Sequence, residues 1–66
     1  MEKRVENLLD MNTASKYLNI KMSSLYQLVM RRKLTVVKIG RLNRFRKIDL
    51  DSYISKNVKK AESLLV

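Results

Sequence analysis

Apolar residues follow two periods along this chain. Up to about residue 32 they recur at helical spacing, and from Leu34 they alternate with polar ones. Met11, Ala14 and Leu18 fall at i, i+3 and i+7, which predicts a first helix with Asp10 as its N-cap. Leu8 and Leu9 precede the cap and suit a hydrophobic staple. Ala14 is small at the centre of the apolar face and lets another helix approach closely. Asn19, Ile20 and Lys21 interrupt the pattern. Asn tolerates the left-handed conformation that ends helices, and Ile20, apolar within a polar turn, is assigned to the core. A second helix is predicted from Met22 to Arg32. Met22, Leu25, Leu28 and Val29 form its apolar stripe. Ser23, Gln27, Met30 and Arg31 lie opposite, flanked by Tyr26 and Ser24.

Leu34-Thr35-Val36-Val37-Lys38-Ile39 is β-branched and predicts a strand. Gly40-Arg41-Leu42-Asn43 reads as a turn, with Gly and Asn able to adopt positive φ. Arg44-Phe45-Arg46 suits a return strand with Phe45 inward and both arginines outward. A last helix is expected from Ile48 or Asp49, with Asp49 and Asp51 favouring the dipole of its first turn. Leu50, Tyr53, Ile54, Val58, Ala61 and Leu65 keep its period. The expected organisation is a flexible tail over residues 1–7, a folded domain over 8–58, and a helix extension or tail over 59–66. The end of that extension, Leu64, Leu65 and Val66, reads either as frayed helix or as a self-association surface. The fold class is mostly α with a small β-hairpin, a winged helix-turn-helix: helix-turn-helix, two-stranded wing, C-terminal helix.

Charge sharpens this picture. The 66 residues carry 15 Lys and Arg against six acids, a net +9. Residues 11–48 hold ten of the bases (Lys16, Lys21, Arg31, Arg32, Lys33, Lys38, Arg41, Arg44, Arg46 and Lys47) and none of the acids. Such a field repels itself unless a polyanion compensates it. A basic surface kept for solubility is the ordinary reading. The segregation of sign beside a groove-sized helix favours nucleic acid. A core this small is marginal alone, so DNA or a neighbouring copy is expected to help.

The chain has no Cys and no His. That removes disulfides, thiolate zinc sites and the commonest general base together. With Asp and Glu confined to the ends, no acid–base pair is suggested, and Ser–Lys pairs arise by chance in so basic a chain. No catalytic residue, metal or cofactor is assigned, and the expectation is a non-enzyme. No apolar run approaches a membrane span and no signal peptide is seen, so a cytoplasmic, nucleoid-associated prokaryotic protein is expected.

The candidate recognition-helix contacts are Ser23, Ser24, Tyr26, Gln27, Met30 and Arg31. Gln27 suits bidentate pairing with adenine, and Arg31 with guanine or a phosphate. The two serines can instead cap or solvate the first turn, which is the commoner fate of serine. Tyr26 is read evenly as core edge and as phosphate contact. The candidate wing and backbone contacts are Lys38, Arg41, Asn43, Arg44 and Arg46. Basic hairpins also serve solubility. Their place beside an acid-free helix favours phosphate. An RNA- or single-strand-binding role needs exposed aromatics for stacking, and most aromatics are assigned to the core.

Taken in order, Leu8-Leu9, Ala14, Tyr17-Leu18, Ser24-Leu25-Tyr26-x-Leu28-Val29, Leu34, Val37-x-Ile39-Gly40, Arg44-Phe45-Arg46 and Asp49-Leu50-x-x-Tyr53-Ile54 resemble the excisionase-type winged helix-turn-helix domains, relatives of the MerR-type DNA-binding domain. The resemblance covers residues 8–54. It implies that Ser23, Tyr26, Gln27 and Met30 face the major groove and that Arg41, Arg44 and Arg46 meet backbone or minor groove. It implies cooperative binding at adjacent sites, and a role in bending DNA at the ends of an integrated mobile element as partner to an integrase. The same fold serves phage and plasmid transcriptional regulators, and the sequence does not separate the two. The chain departs from the family at its turns. Asn19, Arg32 and Arg41 stand where glycine is usual, Lys21 where a serine cap is usual, and Thr35 where proline is usual. The neutral base-facing side implies weak intrinsic specificity, with affinity drawn from phosphates.

Overall fold

The carboxylate of Asp10 accepts a hydrogen bond from the Thr13 backbone N–H at 2.8 Å, and the first helix follows it. In a computed structural model, residues 7–61 are described. Their elements are α1 (Met11–Leu18), α2 (Met22–Met30), β1 (Val37–Ile39), β2 (Leu42–Arg44) and α3 (Lys47–Lys56). Three helices and one antiparallel hairpin make a mostly helical winged helix-turn-helix architecture. Of the tails expected from the sequence, residues 1–6 and 62–66, with Leu64, Leu65 and Val66, lie outside the described residues.

Both helices of the helix-turn-helix end on left-handed residues. After α1, Asn19 has φ 58°, its N–H donates to the Lys16 carbonyl, and the Ile20 N–H reaches the Ser15 carbonyl. After α2, Arg32 has φ 58°, its N–H donates to the Val29 carbonyl, and the Lys33 N–H reaches the Leu28 carbonyl. This paired pattern is the Schellman closure, which satisfies carbonyls the helix leaves over. The second helix therefore stops at Met30, short of the expected Arg32. Ile20 packs against the core as expected. At the start of α2, Lys21 supplies no side-chain cap.

The wing is tighter than its sequence suggests. Val37 pairs with Arg44, Lys38 with Asn43 and Ile39 with Leu42, leaving Gly40-Arg41 as a two-residue loop. Gly40 alone takes positive φ there, at 60°, the first-position glycine of a type II′ turn. The expected four-residue turn is thus corrected. Leu42 and Asn43 belong to β2, and Leu34, Thr35 and Val36 lead into the wing instead of forming its first strand. Phe45 leaves the hairpin and pairs with Leu9 through backbone hydrogen bonds of 2.8 and 2.9 Å. The segment before α1 thereby clamps the base of the wing.

Helix α3 begins at Lys47, a residue earlier than expected, with Arg46 as N-cap. Asp49 lies in its first turn and Asp51 falls beyond it. The helix stops at Lys56, where the Asn57 side-chain amide donates to the Tyr53 carbonyl at 2.8 Å. The helical period expected through Val58 and Ala61 is not continued in α3, and Val58 is exposed because no core remains beside it to cover. Leu65 lies outside the described residues.

Ala14, Leu25, Leu34, Phe45 and Leu50 form one buried core, with Leu9, Leu18, Leu28, Val29 and Tyr53 packed around it. Each helix contributes, as do Leu34 and Phe45 on the segments that flank the wing, and the fully buried Ala14 allows α1 and α2 to meet. Ser15 is buried too, and its hydroxyl donates to the Asn12 carbonyl at 2.7 Å, so no polar group is left unpaired there. Met22 is 46% exposed, at the edge of the stripe it was expected to complete, and Ile54 is exposed as well.

Candidate nucleic-acid interface

Leu25 fixes how α2 is turned. It is wholly buried, so the side opposite it faces solvent. Ser23, Gln27 and Met30 run along that side at i, i+4 and i+7, with Ser24, Tyr26 and Arg31 beside them, and all six are exposed. None makes a side-chain hydrogen bond or ion pair with another described residue. Lys21 holds the N-cap position, so the serines stand inside the first turn with free hydroxyls. Tyr26, weighed evenly between core and surface, is 50% exposed and belongs to the surface.

Two grooves flank this helix. One, between α2 and the wing, is lined by Met30, Arg32, Lys33, Val36, Lys38 and Asn43, with Lys56 reaching in. The other, between α2 and α3, is lined by Gln27, Arg31, Lys33, Tyr53, Lys56 and Asn57. No carboxylate lines either groove. The three described acids are engaged elsewhere. Asp10 caps α1, its carboxyl held below its ordinary pKa first by the Thr13 backbone N–H, then by the Thr13 side chain and by the nearby charge of Arg44. Asp49 is gripped by Arg46, and Asp51 accepts from the Tyr17 hydroxyl.

The wing candidates do not share one surface. Residues directly opposite in the hairpin project to the same side, and successive residues to opposite sides. Lys38 and Asn43 therefore share the side that lines the groove toward α2, where the Lys38 ammonium donates to Asn43 Oδ1 at 3.0 Å. Arg44 is on the other side with Val37, half-buried, its guanidinium donating to the Asn43 carbonyl at 2.9 Å. Arg41 stands exposed in the loop. Arg46 belongs to the start of α3 and grips Asp49 with both ends of its fork, at 2.6 and 2.9 Å. Its side chain is 52% exposed against 14% for Asp49, so the pair lies at the surface with the acid tucked beneath. The tip and outer face of the hairpin, read from the sequence as carrying Lys38, Arg41, Arg44 and Arg46, therefore do not carry all four. A pleated strand sends alternate side chains apart, and Arg46 is outside the strand.

Sequence reasoning passed over Lys56 altogether, counted Lys33 only as bulk charge, and noted Arg32 only as standing where glycine is usual. The position of Arg32 and Lys33 directly after the recognition helix was a usable signal. Lys56 sits in the last turn of α3, outside the acid-free stretch, and only the packing of α3 brings it to α2. The aromatic assignment also changes. Phe45 is buried, but Tyr17 and Tyr26 are exposed. Tyr17 is tied to Asp51, with the Lys47 ammonium 6.0 Å from its ring centroid. That leaves Tyr26 as the exposed aromatic beside the solvent-facing side of α2.

Among the described residues no group of three or more His, Cys, Asp and Glu is placed to hold a metal ion. No helix among them is long and apolar enough to cross a membrane. A family model described as a helix-turn-helix domain matches residues 8–58. Searches of curated proteins and of solved structures return no match.

Proposed function

The chain belongs to the helix-turn-helix domain family, whose members bind DNA, and from that premise we propose that it binds duplex DNA through α2 and the wing. Ser23, Tyr26, Gln27, Met30 and Arg31 face the major groove, with Ser24 at its rim. Lys38, Arg41, Asn43 and Arg44 meet backbone or minor groove, and Arg46 adds charge from its station beside Asp49. The observation that carries this reading is the exposed, unbonded side of α2 between two grooves without a carboxylate. Hydrogen-bonding groups without internal partners are free to pair with base edges, and a cationic frame holds the register.

The finer role is that of an excisionase, or recombination directionality factor: an accessory that bends DNA at the ends of a mobile element and acts with an integrase in a prokaryotic cytoplasm. The excisionase-like residue set supports it. So does the reading face itself, where Arg31 is the single charged group. So neutral a face discriminates modestly, and cooperative copies or a partner would supply the remainder. The alternative is a phage or plasmid regulator with the same contacts and a promoter as target. A footprint on the element's ends, with and without integrase, tests the role. Protection that integrase strengthens is the expected result. Protection confined to a promoter and indifferent to integrase selects the regulator, and no protection of any duplex removes both.

A further inference from the structure

Arg32 occupies a backbone conformation that suits it poorly. Its φ of 58° lies in the left-handed region, which glycine enters without penalty and asparagine tolerates. After α1 the same closure is made by Asn19. After α2 the chain retains arginine. Strain of this kind is a reason to ask what the side chain does. Arg32 is exposed and lines the groove toward the wing together with Lys33 and Lys56. Lys33 and Lys56 also line the groove on the other side of α2. None of the three side chains makes a hydrogen bond or ion pair with another described residue. Three cations from two elements thus converge at one end of α2, and the one carboxylate that shares a cavity with Lys33 and Lys56, Asp49, is already held by Arg46.

The plain account is that cations complement the carbonyl ends of α2 and α3, which both finish here. The carbonyls of Leu28 and Val29 are already bonded by the closure, and dipole compensation does not require arginine at the left-handed residue itself. We propose that Arg32, Lys33 and Lys56 clamp a backbone phosphate of the duplex whose major groove receives α2. The clamp rests on the DNA-binding reading above and adds to it a contact from α3 that the helix and wing alone do not supply. It fixes register and is blind to base identity.

The test uses the full chain, with R32G, R32K and K56Q, in thermal melts and in salt titrations of binding to a duplex of arbitrary sequence. R32G is expected to melt above the wild type, because glycine relieves the strain, while binding several-fold more weakly. Its slope of log K against log salt should fall, by less than about one because Lys33 and Lys56 stay on the phosphate, as should that of K56Q, while R32K keeps the wild-type slope. K56Q should leave the melt unchanged. Wild-type affinity and slope in both R32G and K56Q would overturn the clamp, as would a loss in K56Q confined to particular sequences. A wild type that does not bind the duplex at all fails differently, since it removes the DNA-binding reading beneath.

Discussion

The hydroxyl of Tyr17 donates a hydrogen bond to the carboxylate of Asp51, joining α1 to α3 across 34 residues of sequence. It fastens the first helix to the last at the surface, and it gives Asp51 an internal partner away from both recognition grooves.

The bond also sets an alkaline limit on stability. The phenol is held above its ordinary pKa, chiefly by donating to Asp51 and further by desolvation and the nearby negative charge. A group raised on folding contributes fully below its unfolded value and loses that contribution as pH climbs through the folded one. Stability should therefore drop above pH ~10. Y17F should melt slightly lower at neutral pH and show a shallower alkaline decline. An unchanged decline in Y17F would show that another group is responsible.

The opposite sign applies to Asp49. The Arg46 fork lowers its carboxyl below the ordinary value, so the pair stabilises above about pH 4 and releases that stability as acid protonates it. Asp49→Asn should cost about 0.2–1 kcal/mol near neutrality, the range of solvent-exposed pairs. Below that carboxyl's titration the variant and wild type should melt together. A difference that persists at low pH would point to packing instead of charge.

Phe45→Ala removes the largest fully buried side chain. Large-to-small changes of this kind cost about 3–5 kcal/mol, comparable with all the stability expected of so small a domain. Circular dichroism should find the variant largely unfolded at room temperature in the absence of DNA. A melt close to wild type would mean that the Phe45 site collapses without a cavity.

Gln27→Ala should relax preference at a single base pair and cost about 1–3 kcal/mol on the preferred site. Arg44→Ala should weaken all duplexes alike. Competition binding against a set of single-base variants separates the two patterns. If Gln27→Ala leaves the preference intact, the groove-facing side of α2 has been misplaced.

What the sequence made legible was local. The Asp10 cap needed only the N–H three residues on, and the buried side of α2 followed from helical spacing about Leu25. The wing boundaries were misjudged because pairing is a tertiary fact. Nothing near Phe45 announces that its backbone bonds to Leu9, and β-branching extends back to Thr35 whether or not a partner is present. The end of α3 was overrun for a similar reason, since Val58 keeps the apolar period after the core has been closed. The Arg46–Asp49 pair was within reach, because i, i+3 spacing at a helix start is readable. Lys56 was not, because its neighbours on α2 are set by how the last helix folds back.

The backbone bonds between Leu9 and Phe45 anchor one end of the wing, while its other end, at Gly40 and Arg41, is open to solvent. Amide exchange should therefore be graded along the hairpin, slow where Leu9 and Phe45 meet and fast at the loop. An appendage fixed at its root and open at its extremity presents its loop to whatever it meets without exposing the core.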